Sequence, residues 1–379
     1  MGLFLNKKTI VCVVGTRPEA IKMAPVVLAL RKEPNFNVKI LATGQHSEML
    51  IQALKYFNLT ADLNLNIMKD CQTLDHITST VITGVGKYFD QTMTDAVLVH
   101  GDTTTTFAAS LAAFYRDIPV GHVEAGLRSG DIKLPFPEEM NRVLTDRIAK
   151  WGFAPTELAK ENLIKEGMIL DNIQVTGNTV IDALLYTVKK TTKPTTHELL
   201  NIPEDVPFLL FTAHRRESWG APLENICSAL SEILEKRTNL WLLVPMHKNP
   251  TVRNTIKKYL GDKKRAILCE PLSYQDFVWS MNASVFILSD SGGVQEEASA
   301  LKKPVLILRD VTERPEAIEN GSGILVGTNK KKILDSANRL LDDANYLLEI
   351  KRKCDSQPFG DGNASIKIAS FLKKYFFNN

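Results

Sequence analysis

Short apolar runs rich in β-branched residues alternate with amphipathic segments of helix length almost from one end of the chain to the other. In the first half, Ile10–Val14, Val38–Ala42, Ala96–Val99, Val120–Val123 and Ile173–Val175 read as strands. In the second half, Phe208–Thr212, Leu240–Val244, Ala266–Cys269, Val285–Ser289 and Val305–Leu308 read the same way. Near-continuous apolar runs, rather than alternating ones, belong to strands buried on both faces. Helices fit between them. Pro18 to Lys32 opens with proline near its first position, and Thr103 to Tyr115 follows the Gly101-Asp102 turn. A βαβα rhythm predicts an α/β fold of parallel sheets covered by helices on both faces.

Two sheets are expected rather than one. The polar segment Lys189 to Pro207 holds Pro194, Pro203 and Pro207 and breaks the rhythm, which reads as the passage into a second domain. The boundary is expected near Gly177, before the linking helix. Two doubly wound, Rossmann-like domains facing each other would set the carboxyl ends of their strands around a central cleft, where ligands of such sheets bind.

Composition narrows the class. The 379 residues allow two ordinary domains, and 44% hydrophobic with 23% charged residues is globular composition. A formal net charge of +3 is too small to imply a nucleic-acid partner. No apolar run approaches the ~18 residues of a membrane span. Met1 to Lys8 offers only a brief apolar patch before two lysines, so no secretory signal is expected. Gly2 invites a myristoylation reading, but Asn6 stands where Ser or Thr is wanted. The five cysteines lack paired spacing, which suits free thiols and a cytoplasmic protein.

The chemistry gathers at the strand ends. Ser289-Asp290-Ser291-Gly292-Gly293-Val294-Gln295-Glu296-Glu297 follows the run Val285 to Leu288. A Ser-Gly-Gly turn there aims backbone N–H groups outward at the positive end of a helix, which suits a phosphate. An acidic pair one turn later suits sugar hydroxyls. Gly15-Thr16-Arg17-Pro18-Glu19-Ala20-Ile21-Lys22 ends the first strand, where Gly15 permits a tight turn and Arg17 and Lys22 can face a ligand or simply lie in solvent. His100-Gly101-Asp102 ends another, and Asp102 can instead cap the next helix. Glu124, at the mouth of an apolar strand, is harder to explain away, because buried carboxylates are costly unless paired or functional. The Pro137-Glu138-Glu139 helix start can present either acid inward, or simply carry an ordinary acidic first turn. His214-Arg215-Arg216 and His247 stand at the ends of second-domain strands, and the arginines beside His214 favour an anion site. Histidine spacing suggests no metal, and no G-x-S-x-G elbow, G-x-G-x-x-G or Walker pattern occurs.

Together, G-T-R-P-E-A-I-K, H-G-D-T-T-T, H-V-E-A-G-L-R, P-E-E-M-N-R, T-G-N-T-V-I-D-A, T-A-H-R-R-E, D-S-G-G-V-Q-E-E and R-D-V-T-E-R-P-E closely resemble the non-hydrolysing UDP-N-acetylglucosamine 2-epimerases, in order from about Lys8 to Phe371. The resemblance implies a glycosyltransferase-B type fold. Its first domain would be residues 1–176, joined by a returning helix within 363–379, and its second 177–362. It also implies reversible inversion at C2 to UDP-N-acetylmannosamine, through loss of UDP to a 2-acetamidoglucal and re-addition, in a homodimer with no cofactor.

By position, Arg17, Lys22, His214 and Arg314 match nucleotide-sugar or phosphate contacts. Ser291, Gly292 and Gly293 match the phosphate turn, Glu297 a ribose contact and Phe277 the uracil side. Asp102, Glu124 and Glu138 match the acids of proton transfer, with base and acid unassigned among them and Glu124 expected to be indispensable. Leu272 replaces a glutamine of some relatives. A second, activating substrate site would match Gln45, Glu138, Arg215 and His247. Cys71 and Glu48 stand where the family carries arginine and glutamine, so weakened activation is expected. Readings left open are an epimerase of another UDP-2-acetamido sugar, a hydrolysing relative, a glycosyltransferase on the same scaffold and a nucleotide-sugar sensor.

Overall fold

The computed structural model describes residues 7–44, 47–69, 72–215, 218–312 and 314–377. The chain divides into two compact units, Met1–Ala183 with Phe359–Asn379, and Leu184–Pro358. The division falls inside the helix Thr179–Lys190, a little beyond Gly177.

The first unit is built on β1 (Lys8–Val14), β2 (Phe36–Ala42), β3 (Leu63–Asn64), β4 (Ala96–His100), β5 (Val120–Val123), β6 (Trp151–Ala154) and β7 (Ile173–Val175). They form one parallel sheet in the order β3-β2-β1-β4-β5-β6-β7. The second unit has β8 (Phe208–Thr212), β9 (Trp241–Pro245), β10 (Ala266–Cys269), β11 (Ile287–Ser289), β12 (Val305–Ile307) and β13 (Gly323–Leu325). Its parallel sheet runs β10-β9-β8-β11-β12-β13. Both orders reverse direction beside the first strand of the unit, between β1 and β4 and between β8 and β11. That reversal is the place where doubly wound sheets bind ligands.

The apolar runs form the central strands because helices cover both faces. In β8, Leu209 and Phe211 pack with Ile226, Leu230 and Ile233 of the helix Ala221–Lys236. The alternate residues Phe208 and Leu210 pack on the other face with Met281, Val294 and Ala298. In the first unit, Val11, Val97 and Val99 meet Ala108 and Ala112 of the helix Thr104–Phe114. Each fully buried side chain of this size contributes about 1.5–3 kcal/mol.

The helix Ala364–Phe377 belongs to the first unit. The Asp182 carboxylate accepts hydrogen bonds from the Ser365 amide (2.8 Å), the Ser365 hydroxyl (2.5 Å) and the Ala364 amide (3.2 Å). Phe371 and Tyr375 of this helix set their rings edge-on against Phe153 and Trp151 of β6. Just before the helix, Gly360 touches Gly177. Gly177 has φ +88°, and a methyl group on it would come 2.8 Å from the Gly360 Cα. Asn178 donates its amide to the Phe359 carbonyl at 2.7 Å. Only glycine fits there, for conformation and for space.

Three strands escape the hydrophobic pattern. β3 is a two-residue edge, β6 contains Gly152 and no β-branched residue, and β13 opens on Gly323. Cys12, Cys227, Cys269 and Cys354 are free and buried, and burial pushes the Cys12, Cys227 and Cys269 thiols up to about 12. Among the described residues, no helix is long and apolar enough to cross a membrane.

Candidate active site

Glu124 directly follows β5, with φ +69°. A residue with a side chain in the left-handed region costs energy and is held there by its surroundings. Its amide donates to the Phe153 carbonyl at 3.1 Å. Its side chain is only 9% exposed. Oε2 accepts from Lys22 Nζ at 2.5 Å and Asn178 Nδ2 at 2.8 Å, and His100 Nε2 lies 3.5 Å away. Lys22 comes from the helix Arg17–Arg31 after β1, His100 ends β4, and Asn178 precedes the helix Thr179–Lys190. Burial alone would raise the Glu124 carboxyl, but Lys22 and then His100 hold it well below the usual carboxylate range.

The Gly101-Asp102 turn runs beside it, since a methyl group on Gly101 would lie 4.0 Å from Glu124 Oε1. Asp102 is not a helix cap. Thr103 is the N-cap, and its hydroxyl accepts from the Thr106 amide at 3.1 Å. The Asp102 carboxylate, 30% exposed, instead pairs with Arg142, and its carbonyl accepts from Asn141 Nδ2 at 3.0 Å. Arg142 also donates to Glu139 at 2.9 Å, and Glu139 accepts from the Ser129 amide at 2.9 Å. Glu139 is therefore the acid turned inward and tied down, at 2% exposure. Glu138 is half-buried, and its carboxylate carries no hydrogen bond or ion pair among the described residues.

Arg17 is half-buried at the start of its helix. Gly15 is required by space, because a side chain there would collide with Thr43 and Thr105.

In the second unit, His214 follows β8 and Ser291 follows β11, at the reversal of that sheet. Asp290 is fully buried. It accepts from the amides of His214 and Arg215, each at 3.0 Å, and from Ser218 Oγ at 3.1 Å. His214 Nδ1 stands 3.0 Å from Asp290 Oδ1, with the imidazole 46% exposed. Burial opposes the Asp290 charge, but His214 and these amides hold its carboxyl below the usual range. Ser291 is the N-cap of the helix Gly292–Ala300, with no side-chain cap bond. A methyl group on Gly293 would meet nothing within 4 Å, so the helix start is open to a ligand. Glu296 and Glu297 are both buried, and Glu296 pairs with Arg314. Phe277 is half-buried against the second unit's core, and Leu272 lies in it.

Of the proposed second-site residues, Gln45 lies outside the described residues, as does Cys71. Arg215 is half-buried, Glu48 and His247 are exposed, and His247 Nδ1 accepts from the Asn249 amide at 3.2 Å. The sequence alone marks no role for His100, Asn178, Arg142 or Asp290. Each stands inside a quoted motif, and only its tertiary partner reveals what it does. Among the described residues, no group of three or more His, Cys, Asp and Glu side chains could hold a metal ion.

A family model described as UDP-N-acetylglucosamine 2-epimerase matches residues 28–373. The UDP-N-acetylglucosamine 2-epimerase of Escherichia coli (strain K12) is 48% identical over 370 residues, covering 96% of this chain and 98% of its own. That of Bacillus subtilis (strain 168) is 48% identical over 368 residues, covering 97% and 96%. Among solved structures, the UDP-GlcNAc 2-epimerase from Neisseria meningitidis bound to UDP-GlcNAc is 46% identical with a TM-score of 0.88, covering 97% of this chain and 100% of that one.

Proposed function

The chain belongs to the UDP-N-acetylglucosamine 2-epimerase family, of glycosyltransferase-B-like fold, and from that premise we propose that it inverts C2 of UDP-N-acetylglucosamine reversibly without hydrolysis. In this reading a carboxylate removes the C2 proton while the C1–O bond breaks and UDP departs. The product is a 2-acetamidoglucal. UDP then adds back at C1 as a proton returns to the other face of C2, giving UDP-N-acetylmannosamine. The C2 proton is weakly acidic and the leaving group carries two phosphates, so the reaction needs a base and a cationic clamp.

The observation that carries this reading is the clamped Glu124. At rest Lys22 neutralises it, and a carboxylate so stabilised is a weak base. A diphosphate competes for the same ammonium. Transfer of Lys22 to the leaving group would restore the basicity of Glu124 only when substrate is present. Asp102 and Glu138 are the acids proposed for the opposite face. In the second unit, Ser291, Gly292, Gly293, His214 and Arg314 are proposed to hold the diphosphate, Glu297 the ribose and Phe277 the uracil. The same reading carries a cytoplasmic homodimer.

Turnover of UDP-N-acetylglucosamine in heavy water tests it. The expected product is UDP-N-acetylmannosamine with deuterium at C2 and UDP still attached. Free N-acetylmannosamine with released UDP would assign the hydrolysing reaction instead. Faster turnover of another UDP-2-acetamido sugar would change the substrate. Glu124→Gln is expected to lower kcat by about 10²–10⁴-fold in folded protein. Rates in the same assay are expected to rise hyperbolically with substrate, because Glu48 and Cys71 weaken the activating site proposed at Gln45, Glu138, Arg215 and His247.

A further inference from the structure

We propose that Asp146 is a positioning residue that fixes the spacing between the Gly101-Asp102 and Glu124-Ala125-Gly126 turns. The inference rests on the reading of those acids as the proton-transfer groups. Asp146 lies on the helix Glu138–Ile148 and is 5% exposed. Its Oδ1 stands 2.5 Å from Nδ1 of His122, a fully buried residue of β5. The far nitrogen of that ring, Nε2, stands 2.7 Å from the carbonyl of Gly101, the peptide that leads into Asp102. The other oxygen, Oδ2, accepts the amide of Gly126 at 3.1 Å, two residues past Glu124. One carboxylate therefore reaches both acid-bearing turns, through the imidazole to one and directly to the other.

These turns need such a tether. Gly101, Glu124 and Gly126 have φ +68°, +69° and +84° and lie just beyond their strands; the last ladder bonds hold the amides of Gly101, Glu124 and Ala125, and leave the Gly101 carbonyl and the Gly126 amide to side chains. The helix that carries Asp146 also carries Glu138 and Arg142, four residues apart and so on one face. Arg142 grips the Asp102 side chain while Asp146 holds the backbone before it. Asp146 is itself anchored. Arg128 donates to Oδ2 at 2.7 Å and makes two hydrogen bonds to Glu166, each 2.7 Å. Burial opposes the Asp146 charge, but His122 and then Arg128 hold its carboxyl below the usual range.

An asparagine at 146 can keep its oxygen on Gly126 and Arg128 only by turning its NH2 toward His122 Nδ1, so the carboxylate's charge-assisted contact to the imidazole is lost and the ring's hold on Gly101 loosens. Misplacement of a reacting group by about 1 Å costs up to about 100-fold in rate. The test compares Asp146→Asn, His122→Asn and Glu166→Gln in the heavy-water assay, with near-UV circular dichroism and melting temperature as folding controls. Asp146→Asn should lower kcat by about 100-fold with KM nearly unchanged. His122→Asn keeps a donor for Asp146 but cannot reach Gly101, and should show the same split more weakly. Glu166→Gln weakens the anchor on the side away from both turns, and should lower the melting temperature while leaving kcat near wild type.

Asp146→Asn within twofold of wild-type kcat, or Glu166→Gln losing as much kcat as Asp146→Asn, would overturn the assignment. If Asp146→Asn does not fold, His122→Asn decides: a fall in kcat at constant KM supports the tether, and an unchanged kcat overturns it. Wild-type protein without C2 exchange would sink the reading of the reaction and this assignment with it. An exchanging wild type beside a fully active, folded Asp146→Asn sinks the assignment alone.

Discussion

Among the described residues, Glu19 accepts five hydrogen bonds and makes no ion pair. Oε2 accepts from the Gly15 amide (3.1 Å), the Thr16 amide (2.7 Å) and the Thr16 hydroxyl (2.7 Å). Oε1 accepts from the hydroxyls of Thr103 (2.9 Å) and Thr106 (3.0 Å). The two oxygens thus join the loop after β1 to the loop after β4, across the reversal of the sheet. Their partners differ in kind. Backbone amides can only donate, whereas threonine hydroxyls can also accept. Glu19→Gln can keep its oxygen on the amides and turn its NH2 to the threonines, so little stability should be lost. Glu19→Ala leaves two amides without an acceptor and should cost about 1–3 kcal/mol for each. Urea unfolding of the two variants checks this; equal losses would mean the carboxylate charge, not its acceptors, holds the loops. The same distinction explains what the sequence reveals at this scale. Glu124 is legible because a charge at the end of an apolar run has few innocent explanations. Asp102 is legible as a polar strand end, but its capping alternative falls only when Thr103 takes the cap. Arg142 and Asn178 are not legible, since their meaning depends on partners 40 and 54 residues away.

The helix Ala364–Phe377 shows the same dependence for an element. Its own sequence predicts a helix, but not where it docks. The dock is written in Asp182, 183 residues before Ser365, whose carboxylate accepts its first amides as a cap would. Burial raises the Asp182 carboxyl despite these bonds. Asp182→Ala should cost about 1–2 kcal/mol, as loss of a cap does. The loss should be local, appearing as faster amide exchange and earlier proteolysis between 359 and 377, with the second unit unaffected. Uniform exchange throughout the chain would show that Asp182 has no special hold on this helix. Strands follow a related rule. β4 and β8 announce themselves because every residue but the last is apolar. β6 does not, because Gly152 fits against Leu163 and Met168 where a side chain would clash, and its Trp151 is buried by rings of the returning helix. A strand completed by distant packing leaves little periodicity to read.

At the scale of the molecule, four carboxylates with sites in both units bear on acid stability. Glu124 and Asp146 lie in the first unit, Asp276 and Asp290 in the second. Burial opposes the charge of each, yet all four are held below the ordinary range: Glu124 by Lys22 and His100, Asp146 by His122 and Arg128, Asp276 by Thr195 and Thr196, and Asp290 by His214 and backbone amides. A depressed folded-state carboxyl stabilises the native state above its unfolded value, about 3.9 for Asp and 4.3 for Glu, and loses that contribution as pH falls through the folded value. In that window the unfolded chain binds more protons, so stability must rise with pH. Asp182 runs the other way, because its raised carboxyl favours the native state at low pH, but it is one group against four. The urea midpoint should therefore be nearly flat from about pH 8 to 5 and fall steeply below about pH 4.5. Asp290→Asn removes one depressed group, so it should lower stability at neutral pH and make the acid decline shallower. A parallel downward shift, with the slope unchanged, would mean that Asp290 contributes through hydrogen bonding alone and that its charge is not what links folding of the second unit to pH.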